Sequence, residues 1–348
     1  MGYKEIPPFY FPSTVVFVDD SRDFLSNLSL QLDAGLAFRL YDSPVDALLA
    51  LNCSPNHKTL VEQAFSISHC DEDLSLSHHV IDLNLGSILR EVHNEQRFGQ
   101  VSVLVVDYDM PEIDGLELCR NLRNPEIKKI LLTGKADEKV AVRAFNEGLI
   151  DRFILKQDGD VFSLLRRAIA DLQLAYFESL GRMVMDALAL GSHAFLRDPV
   201  FIEEFRLICK RLNIVEFYIS AIPDGILMLD TDGAASLLIV QDEDEMLSHF
   251  EIAYDQAAPQ ALLDILKSNR AISYFWQTKG EYAPECQDWT PYLFPATELK
   301  GRGWYYYTVV PNPGGIPTKA IRSYNAYLAW LDRQGAFSLN AKPAGGDL

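Results

Sequence analysis

Short apolar runs in this chain end, again and again, on a group that can do chemistry. Val103–Val106 is followed by Asp107, and Val15–Val18 by Asp19 and Asp20. Ile130–Leu132 is followed by Thr133, and Phe153–Leu155 by Lys156. The set is carboxylates, one hydroxyl and one amine. Carboxylate oxygens that lack a complete protein cage suit Mg²⁺, which keeps several waters and recruits phosphate oxygens. A lysine ammonium meets phosphate as a compact point charge. Together these groups point to phosphate chemistry assisted by a divalent cation.

The elements that position them follow from the pattern. An unbroken apolar run of this length suits a strand buried on both faces, as in a parallel sheet. Ser21 caps a helix running to about Asp33, with Leu25, Leu28, Leu30 and Leu32 as its apolar surface. Ala37–Tyr41 reads as a strand, and Ser43 caps Pro44–Asn52, with Pro in the first turn. Met110-Pro111 turns the chain after Asp107, and Asp114-Gly115 opens the helix to Leu122. Lys128–Leu132 and Arg152–Leu155 are strands, and Asp137–Asn146 is a helix closed by Gly148. Alternating strands and helices predict a doubly wound α/β sheet. Such sheets bind ligands at the carboxyl ends of their strands, where these polar groups fall.

The order of the acid pair, the D-x-x-M-P-x-x-D-G string at Asp107–Gly115, Thr133 and Lys156 resembles the response-regulator receiver domain over roughly residues 12–175. The resemblance implies a (βα)5 receiver of strand order 2-1-3-4-5. It implies that Asp107 accepts a phosphoryl group from a histidine kinase or phosphotransfer protein. Asp19, Asp20 and Asp107 would hold Mg²⁺. Thr133 matches the switch hydroxyl, Phe153 the aromatic that moves with it, and Lys156 the phosphate-pairing amine. Two positions depart from the family. Gln157 follows Lys156 where Pro is usual, and Gly134 follows Thr133 where Ala is usual. Both bear on the switch more than on phosphoryl acceptance.

The expected organisation is an arm over 1–12, a receiver over 13–160 with a helical insertion at about 53–100, and a linker helix over 161–192. An α+β output domain over 193–335 and a flexible tail over 336–348 complete it. The aromatic, Pro-rich arm reads as packed on the receiver, with exchange between two subunits as the alternative. In the insertion, Leu60, Ala64 and Phe65, then Ile81, Leu85, Ile88 and Leu89, have helical spacing and predict two helices about an acidic bend at 71–73. His57, His69, His78, His79 and His93 fall here with Cys53 and Cys70. Their spacing fits no zinc finger, so they read as surface groups, with a metal site as the alternative. Val161 to about Leu190 reads as helical, with an interruption expected near Gly181 and an apolar side that suits a partner helix. A helix hairpin is the alternative.

Beyond that helix, Val215–Ser220, Gly225–Leu229 and Ala235–Val240 read as strands, with Asp230–Gly233 as a turn. Asp242–Asp255 and Pro259–Leu266 read as helices, and Thr318 to about Leu331 as a final one. Tyr274–Trp276, Trp289, Tyr292, Trp304–Tyr307 and Tyr327 are either rings packed on one another or a stacking platform for a base.

The chain carries 49 acidic against 31 basic residues, a formal charge of −18. Phosphate contacts dominate nonspecific DNA affinity, so this balance opposes it. No apolar run approaches a membrane span, and no signal-peptide core is present. The five cysteines form no close pair, which suits reduced cytoplasmic thiols. The expected protein is a cytoplasmic response regulator, not an enzyme in its own right, whose phosphorylation switches dimerisation or partner binding. An output domain that is an enzyme or binds a nucleotide is the alternative, ahead of a DNA-binding one. The length, the insertion and the unusual output also resemble the Legionella-type quorum-sensing response regulators.

Overall fold

The computed structural model describes residues 4–53, 60–68, 80–134, 138–188, 193–278, 280–286 and 288–335. The chain opens on a two-residue strand, β1 (Phe9–Tyr10), followed by β2 (Thr14–Val18), α1 (Arg22–Gln31), β3 (Phe38–Tyr41) and α2 (Pro44–Asn52). Next come α3 (Leu60–Ala64), β4 (Phe65–Ser68), β5 (Val80–Leu83) and α4 (Leu85–Arg90). The alternation resumes with β6 (Val101–Asp107), α5 (Gly115–Asn121), β7 (Lys128–Thr133), α6 (Glu138–Asn146) and β8 (Arg152–Leu155).

Five of these strands form a parallel sheet in the order β3-β2-β6-β7-β8. Numbered within the sheet alone, that order is 2-1-3-4-5. The apolar runs fill both faces, as their lack of alternation requires. Val16, Val18, Leu104, Val106 and Leu131 pack with Ala47, Leu116, Leu118 and Ala141 on one side. Val15, Phe17, Val103, Val105 and Ile130 pack with Leu25, Leu28, Leu165 and Ile169 on the other. The caps are side-chain hydrogen bonds: Ser21 Oγ accepts from Phe24 N (3.3 Å) and Ser43 Oγ from Asp46 N (3.2 Å). The buried stripe of α1 is narrower than its leucine count suggests, since Leu30 is 81% exposed.

The insertion keeps the two expected helices in shortened form, as α3 and α4, but Phe65 and Ile81 leave them for strands. After α3 it forms a β4–β5 hairpin pairing Phe65 with Leu83 and Ile67 with Ile81, and only then α4. Phe65-Ser66-Ile67-Ser68 alternates apolar and polar residues, and this period of two decides the segment against the helical reading. His57, His69, Cys70, the 71–73 bend, His78 and His79 lie outside the described residues, so the metal alternative has no geometry to stand on.

α7 (Val161–Leu188) runs unbroken through Gly181. A Cβ on Gly181 would lie 2.6 Å from Pro8 Cδ, so the glycine lets the arm cross the helix. The amino-terminal half of α7 covers the parallel sheet. Its other half enters a second core through Tyr176, Phe177, Val184, Met185 and Leu188. Much of the apolar side expected to serve a partner helix is therefore covered within the chain.

That second core belongs to the elements that follow: α8 (Pro199–Leu212), β9 (Ile214–Ala221), β10 (Asp224–Asp230), β11 (Ala235–Asp242), α9 (Glu243–Asp255) and α10 (Gln260–Lys267). Then come β12 (Ala271–Ser273), β13 (Leu293–Pro295), β14 (Thr297–Lys300), β15 (Trp304–Pro311) and α11 (Tyr324–Gln334). A six-stranded antiparallel sheet has the order β1-β9-β10-β11-β15-β14. The arm is thus an edge strand of this second sheet, with Phe9 opposite Tyr218 and Tyr10 opposite Phe217. That corrects the expectation of an arm packed on the receiver. The cause is aromatic: Phe9, Tyr10 and Phe11 surround Phe177 at 6.1, 5.0 and 4.8 Å between ring centroids. The later aromatics pack on one another, with Trp276 against Tyr292 at 4.3 Å and Phe275 against Tyr292 at 5.0 Å. The final helix starts later than expected, at Tyr324, behind a 3-10 turn and a Ser323 cap.

The second sheet and α11 meet the receiver at the amino-terminal ends of its strands. Tyr324 Oη donates to Gly35 O (2.7 Å) and accepts from Ala37 N (3.0 Å), just before β3. Tyr327 Oη meets Thr14 Oγ1 at 3.0 Å, at the start of β2. The last part of the insertion completes the seam, where the Arg97 guanidinium pairs with Glu216 on β9. No helix of the described residues is long and apolar enough to cross a membrane.

Candidate functional site

The carboxyl edge of the parallel sheet gathers the residues singled out from the sequence. Val18 pairs with Val106, so Asp19 and Asp20 emerge beside Asp107. Lys156 N donates to Thr133 O at 3.0 Å, which sets the lysine at the end of β8 beside the end of β7. Asp19, Asp20 and Asp107 each present a carboxylate oxygen within 4.8 Å of the others. Asp19 and Asp107 are buried and Asp20 is exposed, so the cluster is open on one side. Lys156 Nζ lies 2.7 Å from Asp19 Oδ2 and 2.7 Å from Asp107 Oδ2.

The turn after Asp107 depends on a close backbone approach. Gly115 N donates to Tyr108 O at 3.0 Å, and Asp114 Oδ1 accepts from Glu117 N at 2.7 Å to cap α5. A Cβ on Gly115 would sit 2.2 Å from the carbonyl oxygen of Asp107. The Asp114-Gly115 pair thus starts the helix and keeps it close behind the acid.

Burial pushes the Asp107 carboxyl above the usual carboxylate range, and the hydrogen bond from Lys156 offsets part of that rise. The Lys156 amine is also buried, which lowers its pKa, but the two carboxylates outweigh this and hold it above the ordinary lysine value. The amine therefore stays charged. Three carboxylates against one ammonium leave the pocket negative. Asp19 Oδ2 is buried and, apart from its ion pair with Lys156, has no hydrogen-bond partner among the described residues. Hard oxygen donors, residual negative charge and one open side fit Mg²⁺.

Thr133 and Phe153 share this edge but are engaged elsewhere. Thr133 is fully buried, and its hydroxyl donates to Gly134 O at 3.1 Å. Phe153 pairs in register with Leu131, short of the rim, and meets Phe145 of α6 edge-on at 6.5 Å. Sequence reasoning missed Phe24. Its ring, in the first turn of α1, has its centroid 4.8 Å from Lys156 Nζ. The signal was its place four residues after the acid pair, where the helix first turns back over the strand end.

A model of the response regulator receiver domain matches residues 76–163. Among solved structures, the response regulator LqsR of Legionella pneumophila is 41% identical, over 97% of this chain and 100% of that one, with a TM-score of 0.77. The likeness thus extends across the second sheet as well as the first. The signal receiver domain of an HD domain-containing protein from Pseudomonas fluorescens is 20% identical, over 47% of this chain and 98% of its own, with a TM-score of 0.31. A search of curated proteins finds no match.

Proposed function

Since the chain belongs to the two-component response regulators that carry a receiver domain, we propose that Asp107 is its phosphoacceptor. The observation that supports this reading most is the convergence of Asp107 and Asp19 on one lysine amine, 2.7 Å from each, at the carboxyl edge of the sheet. The donor is a phosphohistidine of a kinase or phosphotransfer protein. Its N–P bond breaks as an O–P bond forms to a carboxylate oxygen of Asp107, and the imidazole, already protonated on its other nitrogen, leaves as the neutral ring. Asp19, Asp20 and Asp107 would hold Mg²⁺, which neutralises charge on the transferring oxygens.

The chain's own groups do the rest. The charged amine of Lys156 keeps Asp107 available as an anion despite burial. Once the phosphoryl group is on, the same amine turns from the carboxylates to the new oxygens. The Thr133 hydroxyl exchanges Gly134 O for a phosphoryl oxygen, and Phe153 fills the space this leaves. A phosphoryl group adds about −1.5 to −2 charges, and the surface of α6, β8 and the start of α7 reads that change.

Acetyl phosphate with Mg²⁺ is expected to add one phosphoryl group by intact mass, and Asp107→Asn to take none. A full adduct on that variant would move the acceptor to another residue, Asp109 first.

The output acts through protein contacts in this reading, with a homodimer as the product of the switch. Residues 201–300 hold seventeen acidic against seven basic side chains, which opposes a nucleic-acid partner. Resemblance to the Legionella-type quorum-sensing regulators suggests signalling of cell density as the context. Sedimentation with and without beryllofluoride tests the dimer: stronger association with it is expected, and equal association constants would leave a partner-binding switch instead.

A further inference from the structure

We infer that Phe24 is a positioning residue for the Lys156 amine, setting how readily that amine leaves the two carboxylates for an incoming phosphoryl group. The inference rests on the reading of Asp107 as acceptor, and it deepens that reading. The Nζ atom lies 4.8 Å from the Phe24 ring centroid, within the range of about 6 Å over which an aromatic face attracts a cation. Two anions hold the amine on its other sides, at 2.7 Å each. The ring is therefore an uncharged attraction set against two charged ones.

The ring is tied to the acid pocket through backbone hydrogen bonds. Ser21 N donates to Asp19 Oδ1 at 3.0 Å, and Phe24 N donates to Ser21 Oγ at 3.3 Å. The cap that starts α1 thus fixes the ring relative to Asp19. The ring is also partly buried against the core on this side of the sheet, which limits its travel.

Transfer makes these placements matter. Lys156 must release Asp19 and follow the growing negative charge on the phosphoryl oxygens. A third carboxylate at the position of the ring would compete for the amine. An aliphatic side chain would fill space but offer the cation nothing. An aromatic face keeps the ammonium near the pocket, partly desolvated, while its ion pairs exchange.

The test uses the full chain with acetyl phosphate and Mg²⁺, following the rate of the adduct by intact mass. Phe24→Leu is expected to slow acceptance about three- to tenfold. Phe24→Tyr, which keeps the ring, should restore the rate to within about twofold. In a Lys156→Met background the Phe24→Leu loss should vanish, because no cation remains for the ring to hold. An equal loss in that background, or no loss in the wild-type one, overturns the inference. Phe24→Met serves if Leu packs poorly, and should show the same loss. Failure of the wild type to take a phosphoryl group would instead count against Asp107 as acceptor.

Discussion

The seam between the two sheets should depend on Arg97 far more than on an ordinary surface cation. Arg97 and Glu216 are each 1% exposed. The guanidinium donates to Glu216 through Nε (2.6 Å) and Nη2 (3.1 Å), and to the carbonyl oxygens of Asn94 (3.0 Å) and Arg322 (2.8 Å). The Tyr218 hydroxyl donates to the same carboxylate at 2.6 Å. Arg97→Met strands the buried Glu216 charge with Tyr218 as its remaining named donor. Breaking a buried pair from one side costs about 3–5 kcal/mol. Adding Glu216→Leu removes the orphaned charge, so the double variant should recover much of the loss and end within about 2 kcal/mol of wild type.

Burial raises the Glu216 pKa in the fold, against the opposing pull of Arg97. A carboxyl raised on folding lends stability below its unfolded value, and that stability is lost as pH rises through the folded value. Without Arg97 the folded value climbs further, so the Arg97→Met deficit should be larger at pH 7 than at pH 5. Urea unfolding provides the assay. All four tryptophans (276, 289, 304 and 330) lie in the second half of the chain, so their fluorescence reports that half alone, while far-ultraviolet circular dichroism reports both. Wild type should show coincident transitions, and Arg97→Met should shift or separate them. A loss under about 1 kcal/mol, or a double variant no better than the single one, would refute the reasoning.

Two further outcomes are expected. Gly115→Ala should cost about 1–3 kcal/mol in urea unfolding and slow phosphoryl acceptance, because its Cβ would meet the Asp107 carbonyl at 2.2 Å. Glu245 is pushed up to about 8, by burial first and then by sharing a hydrogen bond with Asp224. Stability should therefore fall as pH rises through about 8, and Glu245→Gln should flatten that slope in melts from pH 6 to 9.

The receiver strands were legible because a strand buried on both faces leaves no choice of residue type, and its polar terminus then stands out. Val103–Val106 with Asp107 is the clearest case. The contacts between the halves were not legible. Arg97 and Glu216 are 119 residues apart, and neither sits in a periodic pattern that announces burial. β1 is two residues long with prolines on both sides, too short for any alternation to show. At Gly181 the sequence suggested a break, since glycine in a helix interior costs about 1 kcal/mol. The close approach of Pro8, which requires the small residue, is a tertiary fact that local spacing does not contain.

These contacts constrain how a phosphoryl group on Asp107 would act. The acid lies at the carboxyl edge of the parallel sheet, and the second sheet is fastened to the opposite edge by Arg97, Tyr324 and Tyr327. α7 belongs to both cores, and its far half is held by Phe9, Tyr10 and Phe11 around Phe177. Releasing the second half as a free body would require breaking the buried ion pair and exposing this aromatic cluster. Both groups lie away from the carboxyl edge, so the added charge would touch neither of them. A ligand shifts an equilibrium only by its differential interaction with the two states, so release is a poor mechanism for this chain. The local surface is a better one. Val161 N donates to Asp158 O at 3.2 Å, so the loop after Lys156 runs directly into the first turn of α7. Val142 and Phe145 are exposed on neighbouring α6, the latter against Phe153. On the proposed reading, a change in Lys156, Thr133 and Phe153 would therefore alter a partly apolar surface that is already exposed, and would leave the seam between the halves closed.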